Sequence, residues 1–299
     1  MITTERERTT MPPLPPSETR RIVQRIADLP ALPIVVPRVL QLVEDQRASA
    51  GDLARVIGSD QALATRILRL ANSAFYGFRR EIVTINHAVV LLGFDTVKSI
   101  VLAATVCQTL NENGPADSFD RERFWLHVGV TASAARLIAK TLRVVDAEAA
   151  FVGGLLHDVG KVVLDRFFRP RYAEAVRIAA EMPCLIREAE VMLFSVDHAA
   201  VGRWLAERWR FPAAIVEPIA FHHRPAAASP NCRALTAVVH LADTLSRNAG
   251  IGSGGDVLVP LPDPDVLRRL KIGSAELQRW TDALTQDREA VETFLQVMH

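Results

Sequence analysis

From Glu18 onward the apolar residues of this chain recur at helical spacing in one segment after another, and no stretch shows the strict alternation of a half-buried strand. That pattern restricts the fold class to all-α. Ile22, Val23, Ile26 and Leu29 form one stripe, and Leu63, Ile67, Leu68 and Leu70 another. The spacing predicts helices over 22–29, 38–45, 49–58, 60–72, 96–110, 121–142, 146–158, 171–181, 186–194, 197–209, 212–221, 233–247 and 275–297. Asp60 and Asp95 stand where N-caps are expected, and Pro37 suits a first helical turn. Proline and glycine mark the breaks. Residues 1–17 are predicted to be a disordered, proline-rich leader. Residues 111–120 and 248–273 read as loops. The first loop divides an N-terminal helical lobe (18–115) from a second lobe (116–247), and 248–299 adds a loop and a C-terminal helix. The expected architecture is a two-lobed helical bundle.

Composition sets outer bounds. The chain has 299 residues, 49% of them hydrophobic, enough for one large or two medium domains. Its 35 basic and 34 acidic side chains give a net charge of +1, which argues against nucleic acid as the main partner. Cys107, Cys184 and Cys232 form no CxxC pair, a usage typical of reduced thiols. No apolar run approaches the roughly 20 residues needed to span a bilayer. The charged N-terminus lacks the apolar stretch of a secretory signal. The expected location is the cytoplasm, with no membrane partner.

Within the helices, a few polar residues stand where apolar ones belong. His157 and Asp158 end the apolar run Ala150-Phe-Val-Gly-Gly-Leu-Leu-His-Asp-Val-Gly-Lys161, and Asp243 interrupts an otherwise apolar helix. Buried without partners, such groups are costly. His127, His198 and the pair His222-His223 lie at the ends or on the faces of further helices. Imidazoles with carboxylates suit one or two divalent ions such as iron, manganese, zinc or nickel, and ligands from several helices suit a site inside a bundle. The alternative is a set of residues hydrogen-bonded to one another around a water-filled pocket.

At these residues the chain resembles the HD superfamily of metal-dependent phosphohydrolases, whose ligand pattern is H…HD…D. His198 and His222-His223 match the longer pattern of the HD-GYP cyclic-di-GMP phosphodiesterases. Over residues 20–247 the chain is most similar to HDOD, the related regulatory branch. This likeness runs through Leu29-Pro-Ala-Leu-Pro33, Leu53-Ala-Arg-Val-Ile-Gly-Ser-Asp60, Ile67-Leu-Arg-Leu-Ala-Asn-Ser-Ala-Phe-Tyr-Gly77, Ile85-Asn-His-Ala-Val-Val-Leu-Leu-Gly93, Gly153–Lys161 and Asp197-His198. The resemblance implies a helical fold with an HD-like second lobe. It implies His127, His157, Asp158 and Asp243 as the basic metal ligands, with His198, His222 and His223 as the additional ones. Lys161 matches the lysine that contacts substrate phosphate.

Two departures bear on activity. Where HD-GYP members carry a Gly-Tyr-Pro loop, this chain reads His222-His-Arg-Pro-Ala-Ala-Ala-Ser-Pro230. Where trimetal members place a Glu four residues before the first His, it has Arg123. Neither a third metal nor cyclic-di-GMP as substrate is expected.

Other features have two readings each. Residues 52–69 have the helix–glycine–helix form of a DNA-reading motif, yet Arg66 and Arg69 are nearly all the second helix offers to bases. Phe75-Tyr76-Gly77-Phe78-Arg79-Arg80 is either a partner-binding knob or an anchoring loop. Trp204 and Trp209 read as core aromatics beneath the His198 helix. The C-terminal helix either caps the bundle or pairs two copies as a homodimer. The expected function is a bacterial signal-transduction regulator that acts on a protein partner and carries a metal pocket. The alternative is a phosphohydrolase acting on a nucleotide or cyclic dinucleotide, with Asp158 and Lys161 at its catalytic centre.

Overall fold

The computed structural model describes residues 16–28, 31–45, 47–78, 80–110 and 119–298. In chain order its helices are α1 (Pro16–Asp28), α2 (Val35–Glu44), α3 (Ala50–Gly58), α4 (Gln61–Ala71), α5 (Ile85–Leu92), α6 (Phe94–Leu110), α7 (Arg121–Leu142), α8 (Ala147–Leu156), α9 (Val159–Glu181), α10 (Ile186–Phe194), α11 (His198–Arg208), α12 (Ala213–Phe221), α13 (Arg233–Asn248), α14 (Pro264–Leu270) and α15 (Ser274–Met298), with a 3₁₀ turn at Pro225–Ala227. No strand occurs among the described residues, as the periodicity requires.

Short polar side chains set many of the helix starts. Ser49, Asp60, Thr84, Asp120, Asp146 and Asp197 each accept the backbone N–H three residues on. Each satisfies a donor that has no partner inside its helix.

The segmentation differs from expectation in five places, one of them α6, which begins at Phe94 and so puts Asp95 inside its first turn rather than at the N-cap. The helix α1 begins at Pro16, inside the stretch expected to be leader, because proline is tolerated in a first turn; residues 1–15 lie outside the described residues. Helix α5 had no separate prediction. Helix α9 runs from Val159 rather than from Arg171, with non-helical φ/ψ at Phe168 two residues before Pro170. Its first half buries Lys161 and Asp165 among apolar neighbours, which hides the amphipathic stripe. Finally, α14 lies within the expected loop 248–273, capped by Asp263 with Pro264 at its first position.

The site is positioned by α7, which packs against α8, α13 and α15. Two close backbone approaches bring α7 and α11 to the His157-Asp158 junction. A Cβ on Gly154 would lie 2.8 Å from Ala132 Cα of α7, and one on Gly160 would lie 2.0 Å from the His198 carbonyl oxygen of α11. Only glycine allows helix contacts this tight.

Helix α15 lies along α7, α13 and α4, with Trp280, Leu284, Val291, Phe294, Leu295 and Met298 buried. It caps the bundle. Phe75 and Tyr76 pack on Phe294, and the Arg136 guanidinium lies 5.6 and 5.4 Å from their ring centroids. That is the anchoring role; Arg79 lies outside the described residues. Helix α4 is packed against α6 and α15, with Leu63, Ile67 and Leu70 buried, so α3 and α4 serve the bundle. Trp209 is buried and Trp204 packs at the edge of the core.

The loop expected to divide two lobes falls largely at 111–118, outside the described residues. On either side of it the buried apolar side chains form one continuous cluster from Ile22 to Met298. Helix α1 packs on α11 and α9, far along the chain from its own neighbours, and Arg208 donates to the Ala27 carbonyl at 2.6 Å. No single described helix is long and apolar enough to cross a membrane.

Candidate metal centre

Helix ends deliver most of the candidate ligands. His157 closes α8, Asp158 precedes α9, His198 opens α11, and His222-His223 follow α12. His127 and Asp243 come from within α7 and α13. All of these except His223, which is half-buried, are removed from solvent, and so is Lys161.

The structure brings all seven candidate ligands together. His127 Nε2 lies 3.2 Å from Asp243 Oδ1 and 3.6 Å from Asp158 Oδ2, and His157 Nε2 lies 3.3 Å from the same Asp158 oxygen. On the opposite side, Asp158 Oδ1 is 3.0 Å from His198 Nε2 and 3.6 Å from His222 Nε2, with His223 Nε2 2.8 Å from His198 Nε2. Donor atoms of His127, His157 and Asp158 fall within 4.8 Å of one another, as do those of His198, His222 and His223. Atoms that share one ion at about 2.0–2.2 Å lie roughly 3–3.5 Å apart, so groups gathered within 4.8 Å are close to the spacing of a coordination shell. Asp158 faces one group with each oxygen.

The imidazoles are oriented for this by their other nitrogen. His157 Nδ1 lies 2.7 Å from the Gly154 carbonyl oxygen, His222 Nδ1 3.0 Å from that of Ile219, and His198 Nδ1 2.6 Å from Glu190 Oε2. These partners only accept, so each Nδ1 carries the hydrogen and each Nε2 turns inward. His127 Nδ1 sits 3.1 Å from Ser246 Oγ. Inside the cluster, Nε2 of His127, His157 and His222 and Oδ1 of Asp158 are buried without a hydrogen-bond partner. Each such orphan costs roughly 1–3 kcal/mol. The donors, imidazole nitrogens with a carboxylate oxygen, suit a divalent cation in each group.

Two buried cations hold the carboxylates. Lys161 Nζ donates to Asp158 Oδ2 and to the Gly254 carbonyl, both at 2.7 Å. Arg247 donates to Asp243 Oδ1 at 2.8 Å and also pairs with Asp256. Burial would raise the Asp158 carboxyl, but His157, Lys161 and His198 outweigh it and hold the group well below the usual range. Asp243 is likewise held low, chiefly by Arg247 against burial. Burial would lower His157, yet Asp158 and Asp243 lift it to about 9; Glu190 and Asp158 lift His198 to about 9 against the same burial. His222 and His223 are pushed well down by burial and by their imidazole neighbours.

Beside the second group lies a pocket of about 190 Å³, bounded by His198, His223, Arg247, Leu185 and Leu261. His240 is no ligand. It reaches the His222 carbonyl through Nδ1 and accepts from Asp263 N–H through Nε2.

Sequence reasoning missed Glu190, Arg247, Ser246 and the segment Gly254–Asp256. Glu190 had a signal of the same kind as Asp243: it falls in the buried stripe Ile186, Ala189, Glu190, Leu193. Arg247 stands one helical turn from Asp243. Nothing local marks Gly254 or Asp256 as neighbours of Lys161 and Arg247.

An all-α bundle that gathers an H…HD…D set around one helix junction has the site of the HD class. The HDOD family model matches residues 29–225, and the chain belongs to the HDOD family. It is 26% identical over 228 residues to an uncharacterized protein of Treponema pallidum (strain Nichols), covering 76% of this chain but only 44% of that relative, so it spans less than half of the relative's length. Among solved structures it is similar to an HDOD domain protein of unknown function from Geobacter sulfurreducens (26% identity, TM-score 0.77, 92% of this chain and 99% of that one). It shares its fold with a candidate signal transduction protein from Marinobacter aquaeolei (21%, TM-score 0.78, 94% and 65%) and with a candidate phosphohydrolase from Shewanella amazonensis (24%, TM-score 0.71, 92% and 97%).

Proposed function

We propose that this HDOD protein is a signalling regulator built around a divalent metal centre that would hold two ions, with one Asp158 oxygen turned toward each group of imidazoles. His127, His157 and Asp243 would complete the first coordination shell, and His198, His222 and His223 the second. One observation carries the assignment: four buried donor atoms from three helix ends and α7 converge with no hydrogen-bond partner.

Bound there, divalent ions acidify a coordinated water and neutralise charge on a phosphoryl oxygen. The chain's own residues prepare the site. Glu190 fixes the His198 tautomer, Arg247 fixes Asp243, and Lys161 places a positive charge against Asp158.

Regulation is favoured over turnover because the ligands are enclosed and Lys161 is occupied by a carbonyl. The adjoining pocket, about 190 Å³, falls below the ≈ 300–1,000 Å³ usual for organic ligands. The signal would pass to a protein partner. A second reading, a phosphohydrolase acting on a nucleotide, is supported by the two ligand groups that meet at Asp158, the partner of Lys161, and by the name of the Shewanella protein of the same fold.

Metal analysis of the purified protein with added Mn²⁺ or Fe²⁺, paired with hydrolysis of a phosphodiester chromogen, tests both. Near two equivalents of metal without turnover is the expected result. Turnover abolished in Asp158→Ala makes the protein an enzyme, and protein that takes up no metal removes the proposal.

A further inference from the structure

Helix α5 is apolar on both of its sides. Ile85, Ala88 and Val89 are buried, and the helix packs on α3, α4 and α6. The opposite side, at 3.6 residues per turn, belongs to Asn86, His87, Val90 and Leu91. Val90 is 67% exposed and Leu91 44%, and Val83, just ahead of the Thr84 cap, is 65% exposed. From Ile82 to Phe94 the chain has no Asp, Glu, Lys or Arg. A surface helix turns polar residues to water, and one that is apolar all round is normally enclosed. An apolar stripe left open in this way marks an interface.

Charges stand at the two ends of this face. Arg80 and Glu81 lie exposed ahead of Val83, and neither has an ion pair among the described residues. At the other end the chain turns through 120° after Leu92 into α6, which carries Asp95 in its first turn and Lys98 three residues on. Asp95 is exposed and meets Lys98 at 3.3 Å. Each end therefore offers one cation and one carboxylate. Laid antiparallel, two copies of α5 join their apolar faces and set Arg80 against the partner's Asp95 and Glu81 against the partner's Lys98. A two-fold axis makes each of those pairs twice. A parallel alignment instead sets each end against its own kind.

We infer that the outer face of α5 joins two copies of this chain about a two-fold axis, with the helices antiparallel. Isologous pairing needs one patch that is complementary to itself, and it closes at two subunits. The 8 residues of α5 span only about 12 Å. Such a face covers less than the roughly 800 Å² per partner of a standard interface, so the dimer is weak, with a Kd on the order of 10–100 μM. Helix α6 packs on both α5 and α8, the helix that ends at His157, which leaves the interface one element away from the candidate metal centre. The dimer does not rest on the metal-centre proposal.

Sedimentation equilibrium of the full chain from about 1 to 500 μM reads the association. The expected result is a monomer–dimer equilibrium that Val90→Glu weakens by about tenfold or more. Thermal melting of that variant should be unchanged, because most of the Val90 side chain already meets water. Val83→Glu, outside the helix, is a second variant on the same face and should act alike. Arg80→Glu alone should weaken the dimer several-fold at low salt, and adding Asp95→Arg to the same chain should restore it. A monomer at every concentration overturns the proposal and leaves the face to a different protein. A dimer that both valine variants form as well as the wild type lies elsewhere on the molecule and overturns it too. No loss with Arg80→Glu, or a loss that Asp95→Arg does not restore, overturns the antiparallel alignment.

Discussion

At the scale of single residues, Asp158 is the hinge of the site, since each of its oxygens faces a different group of imidazoles. Removing it should abolish binding of both ions, whereas His198→Ala should spare the His127, His157, Asp158 and Asp243 group and keep about one equivalent, which metal analysis of the two variants would read. In the metal-free protein, Asp158→Ala also strands Lys161 in the interior without its carboxylate. The expected loss is about 3–5 kcal/mol in a urea titration, and wild-type stability would contradict the buried pair. The imidazoles supply a pH signature. His157 and His198 stand at about 9 against 6.5 unfolded, so between those values the folded chain binds more protons. Stability from this source is complete below about 6.5 and is lost as pH rises through about 9. Metal-free protein should therefore melt at a lower temperature at pH 9.5 than at pH 7. Metal loading near pH 7.5 should release protons, visible as a buffer-dependent heat in calorimetry. These residues were legible individually, because a polar side chain in an apolar helix needs a partner. Their bridging arrangement was not, since it depends on distances between helices.

At the scale of elements, the site exists because α8 and α9 meet α7 and α11 backbone to backbone. Gly160 is the tightest point of that contact. Gly160→Ala should cost about 3 kcal/mol, at the top of the range for overpacking, because the obstruction is backbone rather than a flexible side chain. It should also displace His198 and weaken the second ion first. An unchanged urea midpoint for this variant would contradict the helix contact. Element boundaries were legible at several capped ends: Asp60 opens α4, and Asp120 opens α7, which spans its predicted residues. They were hidden where burial on all sides erases the stripe. The first half of α9 is such a place, with Lys161 and Asp165 inside it. In the 248–273 region, glycines and prolines outnumber the few apolar residues of α14 and mask that short helix.

At the scale of the whole molecule, α1 and α15 tie distant parts of the chain together. Helix α15 touches α4 and α6 as well as α7 and α13. Thermal unfolding followed by tryptophan fluorescence and by far-ultraviolet dichroism should therefore give one coincident transition; two separated transitions would show lobes that unfold independently. The cysteines report on the same cooperativity. All three are buried, and burial pushes the Cys107 thiol up to about 12. A disulfide reagent should label none of them quickly until the fold opens, and fast labelling at neutral pH would contradict this packing. What the sequence determined by itself was local in origin: helical periodicity and caps specified an all-α chain, polar residues misplaced in apolar runs marked candidate ligands, and the motif resemblance implied the HDOD family and the set of seven. Only the tertiary structure decided which Asp158 oxygen faces which imidazoles, that Lys161 and Arg247 are already engaged, and that a glycine-rich segment closes over the centre. Those outcomes depend on residues far apart in the chain and on desolvation that exists only after the helices pack.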